Sequence, residues 1–304
     1  MEHQLERIRD QRLKDKVVSP EQAASFIENG MTLGLSGFTR AGDVKAVPFA
    51  LVNRVKDEEN FKVNVYTGAS LGSDVDKLFA EAGILGKRLP FQADATMRRG
   101  INQGDFLFVD QHLSHTAELI RADVMEIDVA ILEAVAINGD GMVIPTTSIG
   151  NSMAFARNAK SIIIEINTAQ STELEGLHDL YEPRKQGERR SEELVKPDDR
   201  IGTIGIPIDV DKVKGIVFTN QLDSPSTIVP PDEETVVMAQ HLINFLRKEV
   251  ETERLTESLA PLQSGIGSVA NAVLHGMLDS EFENLEVYSE VLQDAVFDLI
   301  DAGK

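Results

Sequence analysis

Not one of the 304 residues is cysteine. That excludes disulfides, thiolate metal sites, iron–sulfur clusters and cysteine nucleophiles, and makes a reducing cytoplasm the expected compartment. Positive charge is scarce: 30 Lys plus Arg face 50 Asp plus Glu, giving a formal net charge of -20. With a pI near 4.7, broad binding to nucleic acid or anionic membrane is disfavoured, and a polyanionic ligand needs a local basic pocket. No apolar run approaches the roughly 18 residues of a membrane-spanning helix. The N-terminal MEHQLERIRDQRLKDK has no apolar core segment, so it does not read as a secretory signal. What remains is 42% hydrophobic and 26% charged, the composition of a globular protein, with length for two domains or one large one.

Ser19-Pro20-Glu21-Gln22 predicts a helix start, with Ser19 as N-cap, Pro20 at the first helical position and Gln22 closing a capping box. Gly30 reads as its stop. A strand-like run from Met31 to Phe38 opens into Gly37-Phe38-Thr39-Arg40-Ala41-Gly42-Asp43, too glycine-rich and polar to continue a strand. Further strands are expected near Val63 to Tyr66, Phe106 to Val109, Val129 to Leu132, Ser161 to Ile166 and Ile216 to Thr219, with a helix near Val75 to Ala82. The alternation favours a parallel α/β sheet. Tyr181 to Arg200 is densely charged and reads as a solvated excursion. After Pro225, Pro230 and Pro231 a helix is expected from Glu233 to Glu251, then a glycine turn at Gly265 to Gly267, a helix from Val269 to Met277, a strand from Leu285 to Tyr288 and a final helix.

Several constellations carry possible chemistry. Gly265-Ile266-Gly267-Ser268-Val269-Ala270 matches G-x-G-x-x-A at the start of a helix, and Glu290 follows about 20 residues later, where a dinucleotide fold places its ribose-binding acid. A tight turn before a helix explains the same glycines, and Pro261 makes the preceding segment a poor strand. Glu290 also fits a carboxylate nucleophile at a strand-to-helix handover, or an ordinary acid of a first helical turn. Gly68-Ala69-Ser70-Leu71-Gly72 suits close backbone approach to a ligand, or a simple turn. Asp110, His112 and His115 lack a distant partner of metal-site spacing, so a hydrogen-bonding histidine pair is the better reading and no metal is expected. Ser36, Ser70, Ser114 and Ser148 lack the G-x-S-x-G elbow of a serine hydrolase.

Six segments, in order, resemble the acetyl-CoA hydrolase/transferase family of coenzyme A transferases: SGFTRAGDVKAVP from Ser36, TGASLG from Thr67, ADATMRRGIN from Ala93, IPTTSIGNS from Ile144, LQSGIGSVANAVL from Leu262 and YSEVLQD from Tyr288. The resemblance implies two open, mainly parallel α/β domains: a first at 1–228, a connecting helix at 229–258, and the opening part of a second at 259–304. The chain looks truncated after the nucleophile helix, which leaves the second domain incomplete. The resemblance implies that Glu290 is the nucleophile and that Gly265, Ile266, Gly267 and Asn271 line the CoA site. Gly37, Phe38, Gly68 and Ser70 would form a facing wall; near by, Arg40, Lys45, Arg98 and Arg99 read either as cations that offset CoA phosphates on so acidic a protein or as plain surface charges.

The reaction so implied is CoA transfer between a short-chain acyl-CoA (acetyl-, succinyl- or propionyl-CoA) and a carboxylate through a glutamyl-CoA thioester, with hydrolysis as a side activity. CoA is then a substrate, no cofactor is tightly bound, and the partners are acyl-CoA, small carboxylates and a second copy in a cytoplasmic homodimer. Asp223-Ser224-Pro225-Ser226 lacks an arginine that some relatives have there, which leaves the carboxylate acceptor open. The alternatives are a dinucleotide-dependent oxidoreductase and an inactive CoA-binding fragment.

Overall fold

The computed structural model describes residues 2–224 and 230–304. The chain divides into two compact units, Met1–Glu192 with Ile201–Pro225, and Glu193–Arg200 with Ser226–Lys304. The boundary expected at 228 lies outside the described residues.

The first unit is built on eight strands: β1 (Thr32–Leu35), β2 (Val63–Tyr66), β3 (Leu85–Leu89), β4 (Leu107–Phe108), β5 (Val129–Ile137), β6 (Val143–Pro145), β7 (Ser161–Asn167) and β8 (Val213–Thr219). Its helices are α1 (Glu2–Leu5), α2 (Pro20–Ala24), α3 (Ala46–Val55), α4 (Ser73–Ala82), α5 (Ala95–Gln103), α6 (Leu113–Arg121) and α7 (Ser152–Asn158). The strand order is β4-β3-β2-β1-β5-β7-β8; β6 pairs antiparallel with β5 and the other pairings are parallel. The expected mainly parallel α/β sheet is therefore present. The chain steps outward from β1 to β4, then returns to β1's other side with β5. That reversal leaves a crevice beyond the carboxyl end of β1, where open α/β sheets bind ligands.

Every residue of β5 is buried, as a strand covered on both faces requires. The side chains alternate between two cores. Val129 and Ile131 join Leu33, Leu35 and Ile163 under α2, α3 and α4. Ala130, Leu132 and Ala134 join Ile162 and Ile164 against Phe155 of α7 and Ile120 of α6.

The capping box at α2 is complete: Ser19 Oγ accepts from the Gln22 amide at 3.2 Å and Gln22 Oε1 from the Ser19 amide at 3.0 Å. Gly30 is not the helix stop. The helix ends at Ala24, where the Ser25 hydroxyl donates to the Gln22 carbonyl at 2.6 Å and competes with the next turn. Gly30, at φ +86°, instead turns the chain into β1, its amide donating to Lys62 O at 2.7 Å. Residues 182–200 contain no helix or strand, as their charge density implied.

The second unit holds α8 (Glu233–Glu251), α9 (Ser268–Leu278) and α10 (Asp294–Asp301). Asp232 and Thr235 cap α8 reciprocally. Ile243 of α8, Leu274 and Met277 of α9, and Ala295, Val296 and Leu299 of α10 close around Leu259 and Phe282. The strand expected at Leu285 to Tyr288 is reduced to one parallel bridge, Leu262 to Val287. The Leu262 amide donates to Glu286 O at 2.8 Å and the Tyr288 amide to Leu262 O at 2.9 Å. Pro261, just before Leu262, has no N–H with which to extend that ladder. No helix among the described residues is long and apolar enough to cross a membrane.

Candidate active site

In the first unit, β1 and β2 end in loops whose backbones touch. Gly37, at φ +127°, starts a loop in which Thr39 (+49°), Arg40 (+69°) and Gly42 (+64°) are also left-handed. Phe38 and Ala41 exchange backbone hydrogen bonds at 3.0 Å, and the Arg40 amide donates to Ser70 O at 3.2 Å. Gly68 has no room for a side chain: a Cβ there would lie 2.5 Å from Gly37 O and 2.8 Å from Gly150 Cα. The expected close approach at TGASLG is thus to neighbouring backbone. The structure brings Gly37, Phe38, Gly68 and Ser70 together at the carboxyl ends of β1 and β2.

A fully buried ion pair holds the second of these loops. Arg88 of β3 donates from Nε to Asp76 Oδ1 at 3.1 Å and from Nη2 to Asp76 Oδ2 at 3.2 Å. Its remaining donors reach Thr67 Oγ1 at 2.9 Å and Ala69 O at 3.2 Å, and the Leu71 amide donates to Asp76 Oδ2 at 3.0 Å. Burial pushes the Asp76 carboxyl up, and Arg88 pulls it back.

Below the crest lies a cluster of acids around one lysine. Glu133 of β5 and Glu165 of β7 sit opposite each other in register and face α3. Glu165 accepts the amides of Lys45, Ala46 and Val47 at 2.7, 3.0 and 2.7 Å, which satisfies three of the donors left open at the α3 N-terminus. Burial still drives its carboxyl up against those amides. Lys45 Nζ donates to Glu133 Oε2 at 2.5 Å, Asp43 O at 2.6 Å and Asp223 Oδ1 at 2.9 Å. Burial works against its charge, yet Glu133 and Asp223 outweigh it and raise the ammonium to about 12. Burial likewise dominates at Glu133, pushed up to about 7 although Lys45 opposes it.

Lys45 was expected to offset CoA phosphates or to lie at the surface. At 5% exposure, its ammonium is committed to two carboxylates and a backbone carbonyl and is not available to a phosphate. Arg40 is half-buried at the crest, while Arg98 and Arg99 are exposed on α5.

In the second unit the structure brings the segment of Glu290 to the glycine turn. Ser289 Oγ donates to Ser264 O at 2.8 Å and Gln293 Nε2 to Gly265 O at 2.7 Å. Gly267, at φ +123°, opens α9, Ile266 is exposed and Asn271 is buried. Glu290 is exposed and precedes the α10 N-cap, Gln293, by three residues. It is therefore not an acid of a first helical turn; Asp294 holds that place.

The buried cluster was not anticipated from sequence, although a signal was there: Glu133 and Glu165 each interrupt an otherwise apolar strand. Ser36 and Ser148 are structural here, their hydroxyls donating to Gly42 O at 3.0 Å and Ala41 O at 2.6 Å. The rings of His112 and His115 meet edge to face with centroids 5.4 Å apart.

The architecture is that of the CoA-transferase class. RipA from Yersinia pestis superposes with a TM-score of 0.69 at 20% identity, covering 96% of this chain and 60% of that one. The 4-hydroxybutyrate CoA-transferase from Porphyromonas gingivalis gives 0.56 at 17%, covering 95% and 58%. Within that class, residues 1–220 match the profile of the acetyl-CoA hydrolase/transferase N-terminal domain, and the chain belongs to this family. It is 46% identical over 302 residues to the succinyl-CoA:acetate CoA-transferase of Clostridium kluyveri, covering 98% of this chain and 56% of that protein. With the acetyl-CoA hydrolase of Saccharomyces cerevisiae it shares 38% over 301 residues, or 95% and 56%. The chain thus spans a little over half the length of these relatives. General CoA transfer or hydrolysis is the activity of the family.

Proposed function

We propose that Glu290 is the nucleophile of a ping-pong CoA transfer between a short-chain acyl-CoA and a carboxylate. Its carboxylate attacks the thioester carbonyl, forming an acyl-glutamyl anhydride and releasing CoA thiolate. The thiolate attacks the glutamyl carbonyl of the anhydride, giving glutamyl-CoA and the free acid of the donor. The acceptor carboxylate then attacks glutamyl-CoA to form a second anhydride and thiolate. Attack of that thiolate on the acceptor's acyl carbon yields the new acyl-CoA and regenerates Glu290. Water at the intermediate gives hydrolysis.

The observation that carries this reading is the pinning of Glu290's segment to the glycine turn through Ser289 and Gln293, which leaves the carboxylate exposed between two anchored neighbours. Similarity to a succinyl-CoA:acetate CoA-transferase supports acetyl and succinyl groups as donors. Gly265, Ile266, Gly267 and Asn271 are proposed to line CoA in the second unit, and Gly37, Phe38, Gly68 and Ser70 to form the substrate-facing loops of the first. Residues 259–304 are proposed as the opening part of a C-terminal CoA-transferase domain, in a cytoplasmic homodimer for which CoA is a substrate and no resident cofactor is needed. A dinucleotide site is less well supported, because only Leu262 of the segment before the glycine turn has strand pairing.

Incubation with an acyl-CoA, in a form that turns it over, should leave a CoA adduct on Glu290. Intact mass and peptide mapping would detect it, borohydride would reduce it and hydroxylamine would trap it. An adduct mapping to Glu133 or Glu165 would overturn the assignment, as would tight NAD binding without affinity for CoA.

A further inference from the structure

Asp223 lies on the segment by which the chain leaves the first unit after β8, and it gathers donors from three other places. Its Oδ1 accepts from Lys45 Nζ at 2.9 Å. Its Oδ2 accepts from the Gly42 amide at 3.2 Å, Thr147 Oγ1 at 3.0 Å and Gln170 Nε2 at 3.4 Å. One side chain therefore joins the exit segment to the loops after β1, β6 and β7. Lys45 extends the joint to Glu133, which also accepts from Thr146 Oγ1 at 2.9 Å and Asn167 Nδ2 at 3.2 Å. Asn167 Nδ2 returns to the exit segment at Gln221 O, 2.7 Å away.

The charges do not balance. Asp43, Glu133 and Asp223 surround a single ammonium, and Glu165 stands on the strand beside Glu133. Asp43 is buried, with Oδ2 on the Gly72 amide at 2.9 Å and no hydrogen-bond partner at Oδ1. Full ionisation would place two net negative charges from these three acids and Lys45 in a nearly dry site, where like charges repel strongly. Other titratable or charged groups near by are His178, whose ring nitrogen meets Thr146 O at 2.9 Å, Asp74, which lines a cavity with Asp43 and Lys45, and Arg7, whose guanidinium donates to Asn167 O at 3.2 Å and Gln170 O at 3.1 Å.

We propose that Asp223 is a positioning residue that fastens the Gly37–Asp43 loop to the exit of the first unit, and that the fastening is tightest while the acid cluster around Lys45 retains a proton. Burial raises both Asp43 and Glu133, the latter to about 7, so the retained proton is lost near neutrality. The inference deepens the CoA-transfer reading and rests on it only for the claim that the fastened loop meets substrate.

Amide hydrogen exchange by NMR tests it on the full chain, with the Gly42 amide as reporter and the β5 amides as control for the fold. After correction for intrinsic exchange, opening of the loop should increase between about pH 6 and pH 8 in the wild type. Asp223→Ala should lose Gly42 protection at every pH, by about tenfold or more, with β5 unchanged. Asp223→Asn keeps an acceptor but removes one charge, so it should keep part of the protection and lose the pH step. Glu133→Gln should also abolish the step, whereas His178→Gln should leave it in place.

Unchanged Gly42 protection in Asp223→Ala would overturn the proposal. So would a step that survives in both Asp223→Asn and Glu133→Gln, or one that vanishes with His178→Gln. Should Glu133→Gln fail to fold, carboxyl-carbon NMR of the wild type replaces it: a proton lost from Glu133 between about pH 6 and pH 8 supports the proposal, and a flat shift there refutes it. Failure of the wild type to bind CoA in a calorimetric titration would remove the CoA-transfer reading, while the exchange data would still decide the role of Asp223.

Discussion

The first unit buries its charge and the second exposes its candidate nucleophile. Arg88, Asp76, Lys45, Glu133 and Glu165 are at most 5% exposed, and each is hydrogen-bonded to protein. Glu290 stands in solvent between two neighbours whose side chains are tied to backbone carbonyls. The contrast separates two uses of a carboxylate. Where acids are enclosed and paired they hold loops in place, and a shifted pKa there reports burial rather than reactivity. Where one acid is left accessible on a braced segment, it can meet a substrate.

The sharpest way to break this comparison is at Glu290. Glu290→Gln should abolish the CoA adduct and transfer while leaving the melting temperature unchanged, since the amide is nearly isosteric and exposed. Glu290→Asp withdraws the carboxylate by about 1 Å and should cost on the order of a hundredfold in rate. A Gln variant with undiminished turnover would place the chemistry elsewhere.

The reverse pattern is expected at Arg88. Replacing it with Leu leaves Asp76 buried without its counter-charge and should destabilise the first unit by about 3–5 kcal/mol, read as a lower denaturation midpoint. A loss below about 1 kcal/mol would show that the pair is not holding the Thr67–Gly72 loop.

Glu133 predicts a pH effect of definite sign. Its folded pKa of about 7 lies above the reference 4.5, so the folded state binds the proton more tightly. Its contribution is fully present below 4.5 and is lost as pH rises through about 7, on the order of 3 kcal/mol in all. The wild-type minus Glu133→Gln difference in unfolding free energy should therefore fall across that window. A difference that rises instead would mean that Lys45 keeps Glu133 ionised throughout.

The smallest effects concern the caps, where the two units should behave alike. Ser19→Ala in the first and Asp232→Ala in the second each remove one side of a capping box and should cost about 1 kcal/mol by chemical denaturation. Unequal losses would show that one helix owes more to its packing than to its cap.

What could be read in advance followed local rules. The Ser19 capping box, the strand Val63–Tyr66 and the helix Glu233–Glu251 depend on residues a few positions apart, and they stand where expected. β3 escaped because Lys87 and Arg88 break its apolar pattern; the charge of Arg88 is matched by Asp76, in another element. The helices α5, α6 and α7 span only nine, nine and seven residues, two turns or so each, too short for their apolar spacing to stand out in the sequence. The acid cluster was hidden for a related reason. Lys45, Glu133, Glu165 and Asp223 come from four distant stretches, and sequence spacing shows that glutamates interrupt apolar strands without showing what meets them. At the glycines the residue type was legible and the contacting group was not: Gly68 makes room for the backbones of Gly37 and Gly150.

That contact makes the crest a mechanical joint. Three backbones meet at van der Waals distance with no side chain between them to compress, so a displacement of one loop is transmitted to the other two as translation. Phe38, Thr39 and Arg40 form the arch between Gly37 and Ala41, closed by the two Phe38–Ala41 hydrogen bonds. A substitution library confined to those three positions would alter what the arch presents and leave its footing in place, with Asn, Asp and Gly the easiest replacements at the two left-handed sites, Thr39 and Arg40.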